Sequence, residues 1–203
     1  MTKLPSTRKA IASYLTQPIV GLLAKTPVTP NTLTWTGFLI TLGAAALIAT
    51  GHLFAAGFVV ILAGFFDILD GALARSTSRI TRFGGVLDST LDRLSEAAVL
   101  LGVLFLYASE RAIAEIVVVG LTLTGSFLVS YVRARAEAAG LQGQEGLFTR
   151  AERVVVLALG LLLSQIDNAL VIALVLIMIF SFITVGQRLV YVWQQTKGQS
   201  GGK

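Results

Sequence analysis

The chain has 203 residues, of which 55% are hydrophobic and only 13% charged, about half the charge of an ordinary soluble domain. This excludes a water-soluble enzyme and predicts one integral membrane domain, residues 1–203, all α-helical. There is no cysteine, so disulfide and thiol chemistry are excluded, and the net charge of +5 reports topology and anionic lipid contact rather than nucleic acid.

In chain order, residues 7–24 come first. Ile11, Tyr14, Leu15, Ile19, Leu22 and Leu23 recur at intervals of three and four between flanking basic residues, which predicts an amphipathic helix lying on the membrane surface. A signal peptide is the rival reading, but Pro18 interrupts the apolar run and no small-residue cleavage site follows. Pro27 and Pro30 then break the chain, and Asn31 or Thr32 is placed to cap the next helix.

Six spanning helices follow within a 32–192 bundle, over 32–50, 53–74, 84–108, 112–134, 152–166 and 169–192. The first two are joined by the tight "TGH" turn, the second and third by polar "STSRITR", and the fourth and fifth by the long polar stretch 136–151. Residues 196–203 read as a flexible tail. Fifteen of the 16 Lys and Arg fall on one side of this arrangement and only Arg111 on the other. The positive-inside rule therefore puts both termini in the cytoplasm of a multi-pass cell-membrane protein.

Four aspartates stand out against this background. Asp67 and Asp70 are three apart at the end of the second span, and Asp88 and Asp92 four apart at the start of the third. Each spacing puts its pair on one helix face, and the short connection makes the two spans antiparallel neighbours. A carboxylate inside a membrane helix costs about 2.5–3.5 kcal/mol on insertion scales. One aspartate at a helix end is explained by pairing with Arg75, Arg79, Arg82 or Arg93; four in register point to a shared function. Facing carboxylates repel unless bridged, and hard divalent cations, Mg²⁺ or Mn²⁺, are their natural partners. Two metals sharing carboxylates are a known device for phosphoryl displacement.

The stretch reads D67-x₂-D70-G71-x₂-A74-R75-x₈-G84-x₃-D88-x₃-D92. It resembles the signature of the CDP-alcohol phosphotransferases, with no departure at any signature position, and the resemblance runs from "TPNTLTWTG" to "GQRLVYVW". It implies a six-helix membrane homodimer that moves a phosphatidyl-type group from a CDP-lipid to an alcohol and releases CMP. By position, it implies that Asp67, Asp70 and Asp88 hold two metals. Asp92 would join the second metal and act as general base on the attacking hydroxyl. Gly71 would admit the nucleotide and Arg75 reach a phosphate; Asn31, Thr32, Leu33, Thr34 and Thr81 would also lie at the CDP-lipid.

A second basic cluster stands at the same end. Ser130 and Arg133 share a face of the fourth span, Arg153 opens the fifth, and Arg188 lies near the end of the sixth. These resemble the residues of the family's phosphatidylinositol phosphate and archaetidylinositol phosphate synthases. That implies CDP-diacylglycerol or CDP-archaeol as donor and inositol 1-phosphate as acceptor. Glycerol 3-phosphate is the alternative acceptor, and a divalent-cation transporter the alternative from another class. Arginine's planar fork suits phosphate oxygens better than neutral hydroxyls, which favours an acceptor that itself carries phosphate.

Overall fold

The structure is a computed structural model, and it describes residues 17–77, 80–143 and 146–200, the side chains of 198–200 excepted. The described residues are helical, without strands. After a helical stretch at 17–23 come α1 (Pro30–Ala49), α2 (Leu53–Ser76), α3 (Arg82–Ser109), α4 (Ile113–Ala138), α5 (Arg150–Leu162) and α6 (Ala169–Ser200). α1, α2, α4 and α6 are long and apolar enough to cross a bilayer. The six expected spans thus become four by that measure. α3 carries Arg82, Asp88, Asp92, Arg93 and Glu96 in its first fifteen residues, which lowers its apolarity. α5 has 13 residues and so a length of ~20 Å, short of the ~30 Å hydrocarbon layer.

The exterior is as apolar as the core. Leu39, Phe58, Phe105, Val117 and Ile172 are all exposed, at different heights and on five helices or helix faces. A surface of that kind is solvated by lipid, which agrees with a multi-pass membrane protein.

Helix contacts follow from small residues. α1 packs on α2 and on α3, α2 on α5, α5 on α6, α4 on α6, and α3 on α4. At the α1–α3 crossing, a Cβ added to Gly102 would lie 2.6 Å from the Ala45 carbonyl oxygen. At α2–α5 one on Gly57 would lie 2.8 Å from Leu162, and at α5–α6 one on Gly160 would lie 2.5 Å from the Ala173 Cβ. Lipid gives helices little hydrophobic reason to associate, so close backbone approach supplies the packing energy. α4 and α6 run parallel, and the Thr122 hydroxyl donates across them to the Leu174 carbonyl at 3.1 Å. The main core, which includes Ile48, Leu100, Val103, Leu161 and Leu174, fills the half of the bundle away from the aspartates.

Three local expectations change. Thr29 is the N-cap of α1, with its hydroxyl accepting from the Thr32 N–H, and Pro30 occupies the first turn; neither Asn31 nor Thr32 caps. Proline suits that position because its missing N–H would be unpaired there anyway. Of the expected surface helix 7–24, residues 7–16 lie outside the described residues. In the remainder Val20 and Leu23 pack on Leu33, Leu69 and Leu73, while Ile19 and Leu22 are exposed. The tail expected from 196 continues α6 as helix through Ser200, since "QQTKGQS" holds no proline to stop it, and 201–203 lie outside the described residues.

Gly102→Val tests the α1–α3 contact. It forces a side chain against the Ala45 carbonyl and is expected to cost about 1–3 kcal/mol, as overpacking does, read as a lowered unfolding temperature in detergent. Gly43→Ala, which meets nothing within 4 Å, is the control and is expected to leave it unchanged.

Candidate active site

The antiparallel run of α2 into α3 brings the aspartates together. One carboxylate oxygen from each of Asp67, Asp70 and Asp88 lies within 4.8 Å of the others. Asp70 is 5% exposed, and its Oδ2 is buried with no hydrogen-bond partner. A buried anionic oxygen left unpaired is strongly penalised, so the three residues fit a hard divalent cation with oxygen ligands. Asp92 stands outside this trio, one turn further along α3. Thr34, on the second turn of α1, reaches the Asp70 carboxylate.

The partner of the aspartates is Arg150, whose Nη1 lies 2.9 Å from Asp67 Oδ2 and 2.8 Å from Asp92 Oδ1. Arg75, Arg82 and Arg93 make no ion pair with them among the described residues. Arg75 is exposed and folds back so that its Nη1 lies 3.2 Å from where a Gly71 Cβ would be. Arg93 donates instead to the Ser89 carbonyl of its own helix.

Arg150 is the first residue of α5, and Arg153 is in the same turn. Both sit where the helix dipole favours acids, so both need carboxylate partners. Glu152 meets the local requirement by accepting from the N-cap Thr149 N–H at 2.8 Å. Glu96 of α3 meets the other. Its two oxygens take Arg153 Nε at 2.6 Å and Nη2 at 2.9 Å, with the side chains only 2% and 7% exposed. Arg153 Nη1 remains buried without a partner.

Sequence reasoning had not assigned Arg150 or Glu96 to the site. Glu96 continues the Asp88–Asp92 spacing by another four residues, and Arg150 is a base at a helix start, so each left a signal.

The other expected residues divide. Asn31 and Thr81 meet at Gly84, where an added Cβ would lie 3.2 Å from Asn31 Oδ1 and 2.9 Å from Thr81 Oγ1. Thr81 also caps α3 by accepting from the Gly84 N–H at 2.9 Å. Thr32 bonds to Thr29, and Leu33 is buried in the small cluster with Val20, Leu69 and Leu73, so its part is packing. Arg188 is 3% exposed, donates to the Val129 carbonyl, and lies close enough to Arg133 and Arg153 for the three cations to repel. Arg133 is about half exposed and paired with Glu137 at 2.9 Å. Ser130 is half-buried on the same face.

The described parts of the connection from α4 to α5, 139–143 and 146–149, are tied to α6. Gln142 exchanges two hydrogen bonds with Gln195, and the Leu147 N–H donates to Gln187. This binds the entrance of α5 to the end of α6.

A cavity of about 380 Å³ runs between these elements. Asp67, Asp70, Asp92, Glu96, Arg150 and Arg153 line its polar end, and Phe38, Val60, Ile61 and Leu100 its apolar length. Polar groups at one end and hydrocarbon along the rest suit an amphiphile bearing a charged head.

Residues 27–192 match the model of the CDP-alcohol phosphatidyltransferase family. The chain is 42% identical over 167 residues to archaetidylinositol phosphate synthase of Pyrococcus horikoshii, covering 82% of this chain and 84% of that one. Its fold is similar to the crystal structure of Mycobacterium tuberculosis phosphatidylinositol phosphate synthase with CDP-DAG bound, with a TM-score of 0.82, 37% identity, and coverage of 89% and 94% of the two chains. The same enzyme in complex with manganese and citrate gives a TM-score of 0.81 at 38% identity over 88% of each chain.

The Glu96–Arg153 pair yields a stability test. Glu96→Ala strands a buried guanidinium and is expected to cost about 3–5 kcal/mol in detergent unfolding, whereas Glu96→Ala with Arg153→Met restores most of it, because removing both charges removes the penalty.

Proposed function

The chain belongs to the CDP-alcohol phosphatidyltransferase family, and from that premise we propose that it moves a phosphatidyl-type group from a CDP-lipid to a hydroxyl of inositol 1-phosphate. The donor is CDP-diacylglycerol or CDP-archaeol, and CMP leaves. The observation that carries this reading is that one cavity is lined both by acids, Asp67, Asp70 and Asp92, and by Arg153 of the basic cluster. Family membership sets aside the transporter alternative.

The acceptor hydroxyl attacks the phosphorus that bears the lipid, the pyrophosphate P–O bond breaks, and the electron pair leaves with CMP. Asp92 takes the hydroxyl proton. An aspartate is a weak base, so the transfer comes late, as the attacking oxygen bonds to phosphorus and becomes acidic. Its larger contribution is to orient the hydroxyl. Held by Asp67, Asp70 and Asp88, with Asp92 joining the second, two divalent cations, Mg²⁺ or Mn²⁺, would offset the charge of the pyrophosphate and of departing CMP. Arg75, exposed beside Gly71, takes a nucleotide phosphate oxygen, and Asn31, Thr32, Thr34 and Thr81 line the same donor site. Leu33 holds the floor of that site from the core. Arg153, Arg188, Arg133 and Ser130 receive the acceptor phosphate. The working form is a homodimer of six-crossing chains in the cell membrane, with both termini and the site on the cytoplasmic side, as the charge distribution favours.

Asp92→Asn is expected to lower turnover by ~10²–10⁴-fold, the usual range for losing an acid–base group, while CDP-lipid binding persists. Near wild-type CMP release would refute the base assignment. Offered a CDP-lipid with several acceptors, the purified protein is expected to use inositol 1-phosphate and not free inositol. Equal kcat/KM for those two would overturn the basic pocket, whereas preference for glycerol 3-phosphate would keep the pocket and change only the acceptor.

A further inference from the structure

Arg150 is the cation closest to the acidic cluster among the described residues, and its Nη1 bonds to one oxygen of Asp67 and one of Asp92. Its side chain is 27% exposed, and its Nε is buried without a partner. A single Nη1 therefore carries both contacts, and no fork anchors the guanidinium elsewhere. The arginine is brought there by α5, at a helix start whose dipole opposes a positive charge. It is tied into place by the carboxylates rather than by its own helix.

Two consequences follow from this geometry. Asp67 and Asp92 come from different helices, and Arg150 draws them to one point, so it sets where the Asp92 carboxylate stands. Each carboxylate also keeps one oxygen away from Nη1. Asp67 also gives one oxygen to the trio with Asp70 and Asp88, and Asp67 and Asp92 both line the cavity. A guanidinium in this position is also a fixed positive charge next to any cation the trio accepts.

We propose that Arg150 is a positioning residue for this reaction, which holds Asp92 against Asp67 and weakens divalent-cation binding at the cluster in exchange for that alignment. The proposal rests on Asp92 taking the acceptor's proton. It makes an unusual combination of demands, because removal of Arg150 then has opposite effects on cation affinity and on turnover. A residue with only a structural role weakens both when removed. A residue that binds substrate phosphate raises a KM.

The test is a Mn²⁺ titration of the purified, full-length protein, by calorimetry or by the Mn²⁺ electron paramagnetic resonance signal, beside steady-state CMP release. Arg150→Gln is expected to bind Mn²⁺ more tightly by at least about threefold, since a like charge has gone. Its kcat is expected to fall by ~10–100-fold, the usual cost of losing a group that orients a functional side chain, with both KM values within about threefold of wild type. Arg150→Lys keeps the charge but not the planar geometry. It is expected to bind Mn²⁺ as wild type does and still to lose kcat by about tenfold or more. Weaker Mn²⁺ binding in Arg150→Gln overturns the proposal, as does a raised KM for the CDP-lipid with kcat retained. If Arg150→Gln does not fold, Arg150→Lys decides, and wild-type kcat in that variant overturns the positioning role. The titration needs no turnover, so it judges the charge effect even if the acceptor assignment fails, and Asp92→Asn judges the base assignment separately.

Discussion

Charge compensation where water is scarce is the constraint on which the rest depends. Four carboxylates stand on α2 and α3 in a chain whose outer surface is hydrocarbon-like. The protein itself supplies Arg150 to two of them, and Arg153 to Glu96 a turn further on. Both arginines come from the first turn of one short helix. That helix must therefore lie against α2 and within side-chain reach of α3, and its connection from α4 must bring it there. The packing of Gln142 and Leu147 on α6 fixes that connection. The cavity is the space that remains between the helices so held.

Ion contacts of 2.6–2.9 Å require helix positions fixed to a few tenths of an ångström. Lipid tails do not press helices together as water would, so the positions come from shape. Gly102 against Ala45, Gly57 against Leu162 and Gly160 against Ala173 set three of the helix separations, each among the residues of the main core rather than beside the aspartates. The polar end of the cavity is thus aligned by contacts distant from it.

The two charged clusters differ in kind. The aspartate trio is under-compensated, with Asp70 Oδ2 unpaired, and so is prepared for added positive charge. The arginine cluster carries repulsion among Arg133, Arg153 and Arg188, partly relieved by Glu96 and Glu137, and keeps Arg153 Nη1 unpaired. One end of the cavity favours cations and the neighbouring wall favours anions. A reaction in which a phosphate-bearing alcohol displaces CMP from a pyrophosphate needs both within one molecule's reach.

Much of this was legible in the sequence because it is written in short-range spacing. Helix period alone puts Asp67 with Asp70 and Asp88 with Asp92, and a five-residue connection between α2 and α3 makes the pairs face each other. Hydropathy alone made the chain a helical membrane protein and found α1, α2, α4 and α6, whereas the short α5 and charged α3 stand out less by length and composition. What only the tertiary structure decided were the long-range pairings. Arg150 to Asp67 spans 83 residues and Arg153 to Glu96 spans 57, and no local periodicity couples such positions. Sequence spacing offered Arg75, Arg79, Arg82 and Arg93 as partners for a lone aspartate because they are near in the chain; Arg79 lies outside the described residues, and among those described the fold chose an arginine from α5 because that helix is near in space. It also placed Leu33 in the core and gave the α1 cap to Thr29, since burial and capping depend on which way a helix faces its neighbours.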